Sequence, residues 1–152
     1  MSEEEEKVMI RKTFSSSMKM LILLHYIIQE ENEILSYEHV DAIISWASNV
    51  ASKAPARLAS NSNYFIAGKI YLTVLLLICH KPKETMDLCE NKPLITKNIF
   101  YQIFKGSHFY NAEYDIPLLV RTMITLIKMS SSGASPLFRY SHLFLKLCLE
   151  CM

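Results

Sequence analysis

The chain has 152 residues, of which 51% are hydrophobic and 20% charged, with three Gly and five Pro. That length suits one domain with a core of its own, and the composition excludes a disordered chain. Sixteen Lys and Arg against fifteen Asp and Glu leave a formal net charge of +1. Three glycines are too few for phosphate-cradling loops or a series of tight hairpins, because both need Gly where φ is positive.

The charge is unevenly spread. Residues 1–41 hold nine acids against four bases, a net of −5, whereas residues 42–152 hold six acids against twelve bases, a net of +6. The basic segment 42–152 suits an acidic partner, nucleic acid included. Its bases never form a run, however, and they serve equally well as the solvated faces of helices. Residues 1–7 are acidic where a secretory leader needs a positive start. The longest uncharged apolar stretch, Ile70–Cys79, is ten residues, against the roughly 20 that a bilayer span requires. The expectation is an intracellular protein, cytoplasmic or nuclear, with no membrane span. Its four cysteines, Cys79, Cys89, Cys148 and Cys151, are then reduced thiols.

In chain order the signals are helical. Ser2 and Glu5 have capping-box spacing, and Glu3 to Glu6 lie at the positive end of a helix dipole. Val8, Phe14, Met18, Leu21, Ile22, His25 and Ile28 then recur mostly at three- and four-residue intervals, giving a first helix to about residue 32. Two alternatives stand beside it: a break at Ser15-Ser16-Ser17, and a frayed acidic start over residues 1–7. Ser36 is placed to cap a second helix, whose stripe is Val40, Ile43, Ile44, Ala47, Val50 and Ala51. Residues 54–63, with Pro55 and the run Ala59 to Asn63, read as an internal linker.

Residues 64–80 are apolar nearly all round, so a helix there must be surrounded by others and is the expected central element. A buried strand over Ile70–Ile78 is disfavoured by the length of the run and by the lack of any hairpin partner. Pro82 and Pro93 each fit the first turn of a helix, where a missing N–H costs nothing. The second of these helices carries Ile95, Ile99, Phe100, Ile103 and Phe104, and Gly106 stands at its C-terminal cap. An aromatic loop over Ser107–Glu113 follows, then a helix opened by Asp115-Ile116-Pro117 that ends before Gly133. Ser135-Pro136 opens a final helix running to Met152 without a stop signal. Apolar residues on more than one of its faces imply deep docking, self-association, or a chain cut from something longer. The fold class is therefore all-α, one domain over residues 1–152, as a multi-helix bundle or a short helical stack.

Two stretches share a layout of an apolar helix, a short polar break and a Pro-initiated apolar helix. One runs from Leu75 through His80-Lys81-Pro82 to Asn91-Lys92-Pro93-Leu94-Ile95, and the other is Asp115-Ile116-Pro117-Leu118-Leu119-Val120. Over roughly residues 70–130 this resembles armadillo or HEAT repeats. The resemblance implies a right-handed helical stack whose concave face binds extended peptide, with Asn91 at a left-handed turn that usually carries Gly. The usual glycines and the Asn ladder of peptide-binding members are absent from this chain. The bland alternative is an irregular bundle with accidental Pro spacing.

Catalytic signals are lacking. No His-Glu-x-x-His, Gly-x-Ser-x-Gly or Walker-type sequence occurs, and His25, His39, His80, His108 and His142 stand apart from one another. Asp87 with Glu90, and Glu113 with Asp115, read as exposed helix-end or loop acids. Cys148-x-x-Cys151 with Cys79-His80 and Cys89 offers, on paper, enough ligands for the four that zinc needs, but the spacing matches no knuckle or ribbon, and core cysteines are the better reading. A thioredoxin-type role fails on position, since the pair lies at the C-terminal end of its helix.

No metal, cofactor or catalytic residue is therefore expected, and the leading reading is a non-catalytic adaptor that binds a protein partner. Its contacts are expected at Trp46, Tyr101, Phe109, Tyr110, Leu145 and Leu149, with a homo-oligomer through the last helix as one outcome. Trp46 reads alternatively as a widening of the core face. A nucleic-acid-associated helical protein is the second reading. A Bcl-2-like groove-binding bundle is the third, although the Asn-Trp-Gly-Arg signature of that family is missing around Trp46.

Overall fold

The computed structural model describes residues 2–53, 61–104, 115–130 and 141–151, and apart from caps and short junctions these are helical, with no strand among them. The helices are α1 (Glu3–Glu30), α2 (Tyr37–Lys53), α3 (Asn61–His80), α4 (Pro82–Asn91), α5 (Pro93–Phe104), α6 (Ile116–Ser130) and α7 (Ser141–Cys151). A single 3-10 turn, Asn32–Ile34, joins α1 to α2. The fold class is all-α, as the periodicity required.

Local chemistry explains most of the boundaries. Ser2 is extended (φ −73°, ψ 160°), and its hydroxyl accepts from the Glu5 N–H at 3.2 Å, so α1 begins at Glu3. The serine run does not break α1. At the start of α2 the Ser36 hydroxyl accepts from the His39 N–H at 3.4 Å, while the Ser36 N–H donates to His39 Nδ1 at 3.0 Å. This is a capping box in which histidine takes the place usually held by Glu or Gln. Pro82 and Pro93 open α4 and α5. Residues 61–63, expected within the linker, instead form the first turn of α3, where unpartnered backbone N–H groups suit short polar residues. The rest of that linker, Gly106, the aromatic loop and Ser135-Pro136 lie outside the described residues.

One junction departs from what the armadillo resemblance implies. Asn91 ends α4 in helical conformation, and the cap Lys92 has φ −132°, so no left-handed residue makes that turn. The Lys92 N–H bonds back to Leu88 O at 2.7 Å, and proline at the next position prevents the helix from continuing.

The core is organised around α3. Every residue from Ile70 to Ile78 is buried, and α3 packs against α1, α2, α4, α5 and α6. Leu21 and Ile28 approach from α1, Val40, Ile44 and Ala47 from α2, and Leu88 from α4. Ile99, Phe100 and Ile103 come from α5, and Leu119 and Leu126 from α6. The last helix is tied in by Phe144, whose ring meets Phe104 edge-on at 5.3 Å; Phe104 in turn stacks on Phe100 at 6.4 Å.

Because Leu75 is 0% exposed at the centre of this assembly, Leu75→Ala should cost about 2–5 kcal/mol. Urea unfolding followed by circular dichroism should show the midpoint falling without a change in the folded spectrum.

Candidate interaction surface

A polar line runs along one side of α3, through and beyond its buried stretch. Lys69, Thr73 and His80 recur at helical spacing on one side of the helix, facing α1 and α6. The Thr73 hydroxyl donates to Lys69 O at 2.9 Å, and His25 Nε2 of α1 lies 2.7 Å from the Thr73 oxygen and 3.2 Å from Lys69 O. Since the Thr73 proton is already given away and a carbonyl can only accept, Nε2 must carry the imidazole proton. Burial pushes the His25 pKa below its ordinary 6.5, outweighing the lift from the Lys69 carbonyl and from Asp115, with the Lys69 charge adding to the fall.

His80 lies further along the same line. Its Nε2 is buried without a hydrogen-bond partner, and burial lowers its pKa, with Arg121 of α6 adding to the effect and Glu30 of α1 opposing it. These neighbours fix direction: His25 sits beside residues 69 and 73, and Glu30 near residue 80, so α1 and α3 run the same way. Beside His80, Cys79 lies 3.2 Å from the Thr122 hydroxyl, whose own proton goes to Leu118 O at 2.8 Å; the thiol is therefore the donor. Cys89 and Cys148 are buried, and Cys151's side chain lies outside the described set. Among the described residues no three His, Cys, Asp or Glu side chains are placed to hold a metal ion.

A second polar seam joins α2 to the α4–α5 turn. Lys92 Nζ lies 2.8 Å and 3.0 Å from the two Asp41 carboxylate contacts, and Ser45 donates to Asp41 at 2.9 Å. Hydrogen bonding from Lys92 holds the Asp41 carboxyl below its ordinary value. Asn98 donates to Ser48 at 2.8 Å, and Asn91 donates to the Tyr37 hydroxyl at 3.0 Å. These contacts orient helices and expose no acid–base pair in a cleft. Of the carboxylate pairs singled out in the sequence, Asp87 is half-buried, Glu90 is exposed and Asp115 opens α6; Glu113 falls outside the described residues.

The six expected partner-binding residues divide three ways. Trp46 is partly buried and packs against the core, so it widens the core face of α2. Tyr101 is 54% exposed on α5, with Lys97 Nζ 5.8 Å from its ring centroid. Leu145 and Leu149 are 47% and 63% exposed on one side of α7. Phe109 and Tyr110 lie outside the described residues.

Two further apolar strips were not foreseen. Val120, Ile124 and Ile127 recur at i, i+4 and i+7 along the outer side of α6, beside the exposed cations Arg121 and Lys128. Ile22, expected in the core stripe of α1, is exposed instead, as are Leu23 and Tyr26. The reason is packing: α1 rests on α3 and its own following turn, and its other side has no comparably packed neighbour among the described residues. No family profile, curated protein or solved structure matches the chain. No described helix is long and apolar enough to cross a membrane.

The His25 seam predicts a pH dependence. A folded pKa below 6.5 means that the unfolded chain binds this proton more readily. Stability is therefore full above about pH 6.5 and falls as the pH drops toward the folded value. His25→Gln keeps a donor for Lys69 O and Thr73 Oγ1 but cannot titrate. Its thermal midpoint should change less between about pH 7.5 and 5.5 than that of the parent.

Proposed function

We propose that the chain is a non-catalytic protein-interaction module, an adaptor or scaffold subunit that holds a partner on the outer side of its α6–α7 pair. What carries this reading is the pattern of exposed apolar residues. Exposed hydrophobics scattered singly need no explanation. Here they recur at helical spacing on two helices packed against each other: Val120, Ile124 and Ile127 on α6, Leu145 and Leu149 on α7. Such strips match the i, i+4, i+7 anchors by which one helix receives another.

The flanks add specificity. Arg121, Lys128 and Lys146 are exposed beside these strips, while Glu150 is the one exposed acid of the described α6 and α7 residues. A partner helix with apolar anchors and acidic flanks meets both features, the charges steering encounter and the apolar contact supplying affinity. Tyr101, with Lys97 across its ring, extends the reading to α5 as an amphipathic anchor of the kind enriched at interface hot spots.

The test is a paired substitution. Leu145→Glu with Leu149→Glu places two charges on residues that are already exposed, so the helical spectrum should be preserved. In cells, the tagged chain should shift from its native assembly to a free form on sizing. An assembly of unchanged size with the double variant removes this reading.

A further inference from the structure

We propose that α1 is a dimerisation element, pairing antiparallel with α1 of a second copy of this chain. The proposal goes beyond the adaptor reading and does not depend on it. Four exposed residues carry it: Lys19, Leu23, Tyr26 and Glu30. Helical spacing places Lys19, Leu23 and Tyr26 on the side of α1 opposite Leu21, Leu24, His25 and Ile28, which face the core, and Glu30 continues the line at the exposed end of the helix, where it is also within electrostatic range of His80. Their intervals are four, three and four residues, which is the alternation that keeps a seam facing a partner helix in a coiled coil. Leu23 and Tyr26 at the centre are each 58% exposed, and Ile22 flanks them.

The charges select the occupant. A cation, Lys19, closes one end of the seam and an acid, Glu30, closes the other. Rotating a second copy by a two-fold axis between residues 24 and 25 sets Leu23 against Tyr26 of its partner, and Tyr26 against its Leu23. The same rotation sets Lys19 against Glu30 twice. An isologous contact requires this self-complementarity, and a parallel arrangement would instead oppose like charges.

The end of α1 supports the same occupant. Its last turn contains no basic residue, although the negative pole of the helix dipole favours a cation there. Glu30 is followed at once by Glu31 and Glu33, whose carboxyls are close enough that hydrogen bonding to Glu33 raises the Glu31 pKa. The partner's Lys19 would bring a cation to this crowded acidic end. The body already occupies one side of α1 through α3, so the seam would add a neighbour on the bare side and leave the core undisturbed.

Sedimentation equilibrium on the full chain tests this. A monomer–dimer equilibrium is expected, and a chain still monomeric at ~100 μM overturns the proposal. Leu23→Glu should give a monomer with an unchanged far-ultraviolet spectrum. Lys19→Glu and Glu30→Lys should each weaken the dimer about tenfold, because each opposes two like pairs, and the double variant should recover most of the loss. Failure of the double variant to recover would refute the antiparallel register. A dimer indifferent to all of these changes but broken by Leu145→Glu with Leu149→Glu would move self-association to α7 and overturn the assignment to α1.

Discussion

The structure depends on the need to cover α3 on every side. A helix with nine consecutive buried residues from Ile70 to Ile78 has no face to offer water, so its neighbours must supply a complete wall. Five other helices do so. Each of them needs only one apolar stripe for the purpose, and the rest of its circumference is released from that constraint. The edge helices are therefore where surface chemistry was free to vary. They are also where apolar residues on the outer side call for an explanation other than folding.

Covering α3 brings polar groups inside, and most of them are satisfied within their own helix. Buried Thr73, Thr85, Thr96 and Thr122 all donate to the carbonyl four residues earlier, at 2.8–3.2 Å. Returning the hydroxyl to the local backbone lets a β-branched residue pack as an apolar one, without the cost of an unpaired polar atom. The line facing α1 works differently, because there His25 must cross between helices to reach its acceptors. That crossing sets the depth and register of α1 against the body. The same alignment brings Glu30 into range of His80 and turns Leu23 and Tyr26 outward.

What was legible in the sequence followed from how constrained each residue is. The run at 70–78 could be read as the central helix because no half-exposed element tolerates it. Pro82 and Pro93 could be read as helix starts because proline has so few other places to go. Tyr101 was foreseen on the surface because it stands off the main stripe of its helix, and Leu145 and Leu149 because apolar residues occupy more than one face of theirs. Trp46 stood off its stripe as well, and of its two readings the structure supports the widened core face. A large ring one position from the stripe can fold back onto it, and periodicity treats such a residue as if it pointed straight outward. The start of α3 was placed late for a similar reason, since Asn61, Ser62 and Asn63 suit a loop and the first turn of a helix alike.

The exposed side of α1 escaped because residues 20–24 are all apolar, and an unbroken run has no period from which to choose a face. The residues that separate the two sides are the charged ones at the ends of the run. Lys19 and Glu30 are eleven positions apart, close to three full turns, so they mark a single line along the helix. Leu23 and Tyr26 fall on that line, whereas Leu21, Leu24 and Ile28 fall opposite it. A chain that needed α1 only as cover for α3 would meet its requirement with the second set alone. Keeping two large apolar groups on the charged line costs solubility and adds nothing to the core. Their placement between a cation and an acid is what a contact with another helix would require.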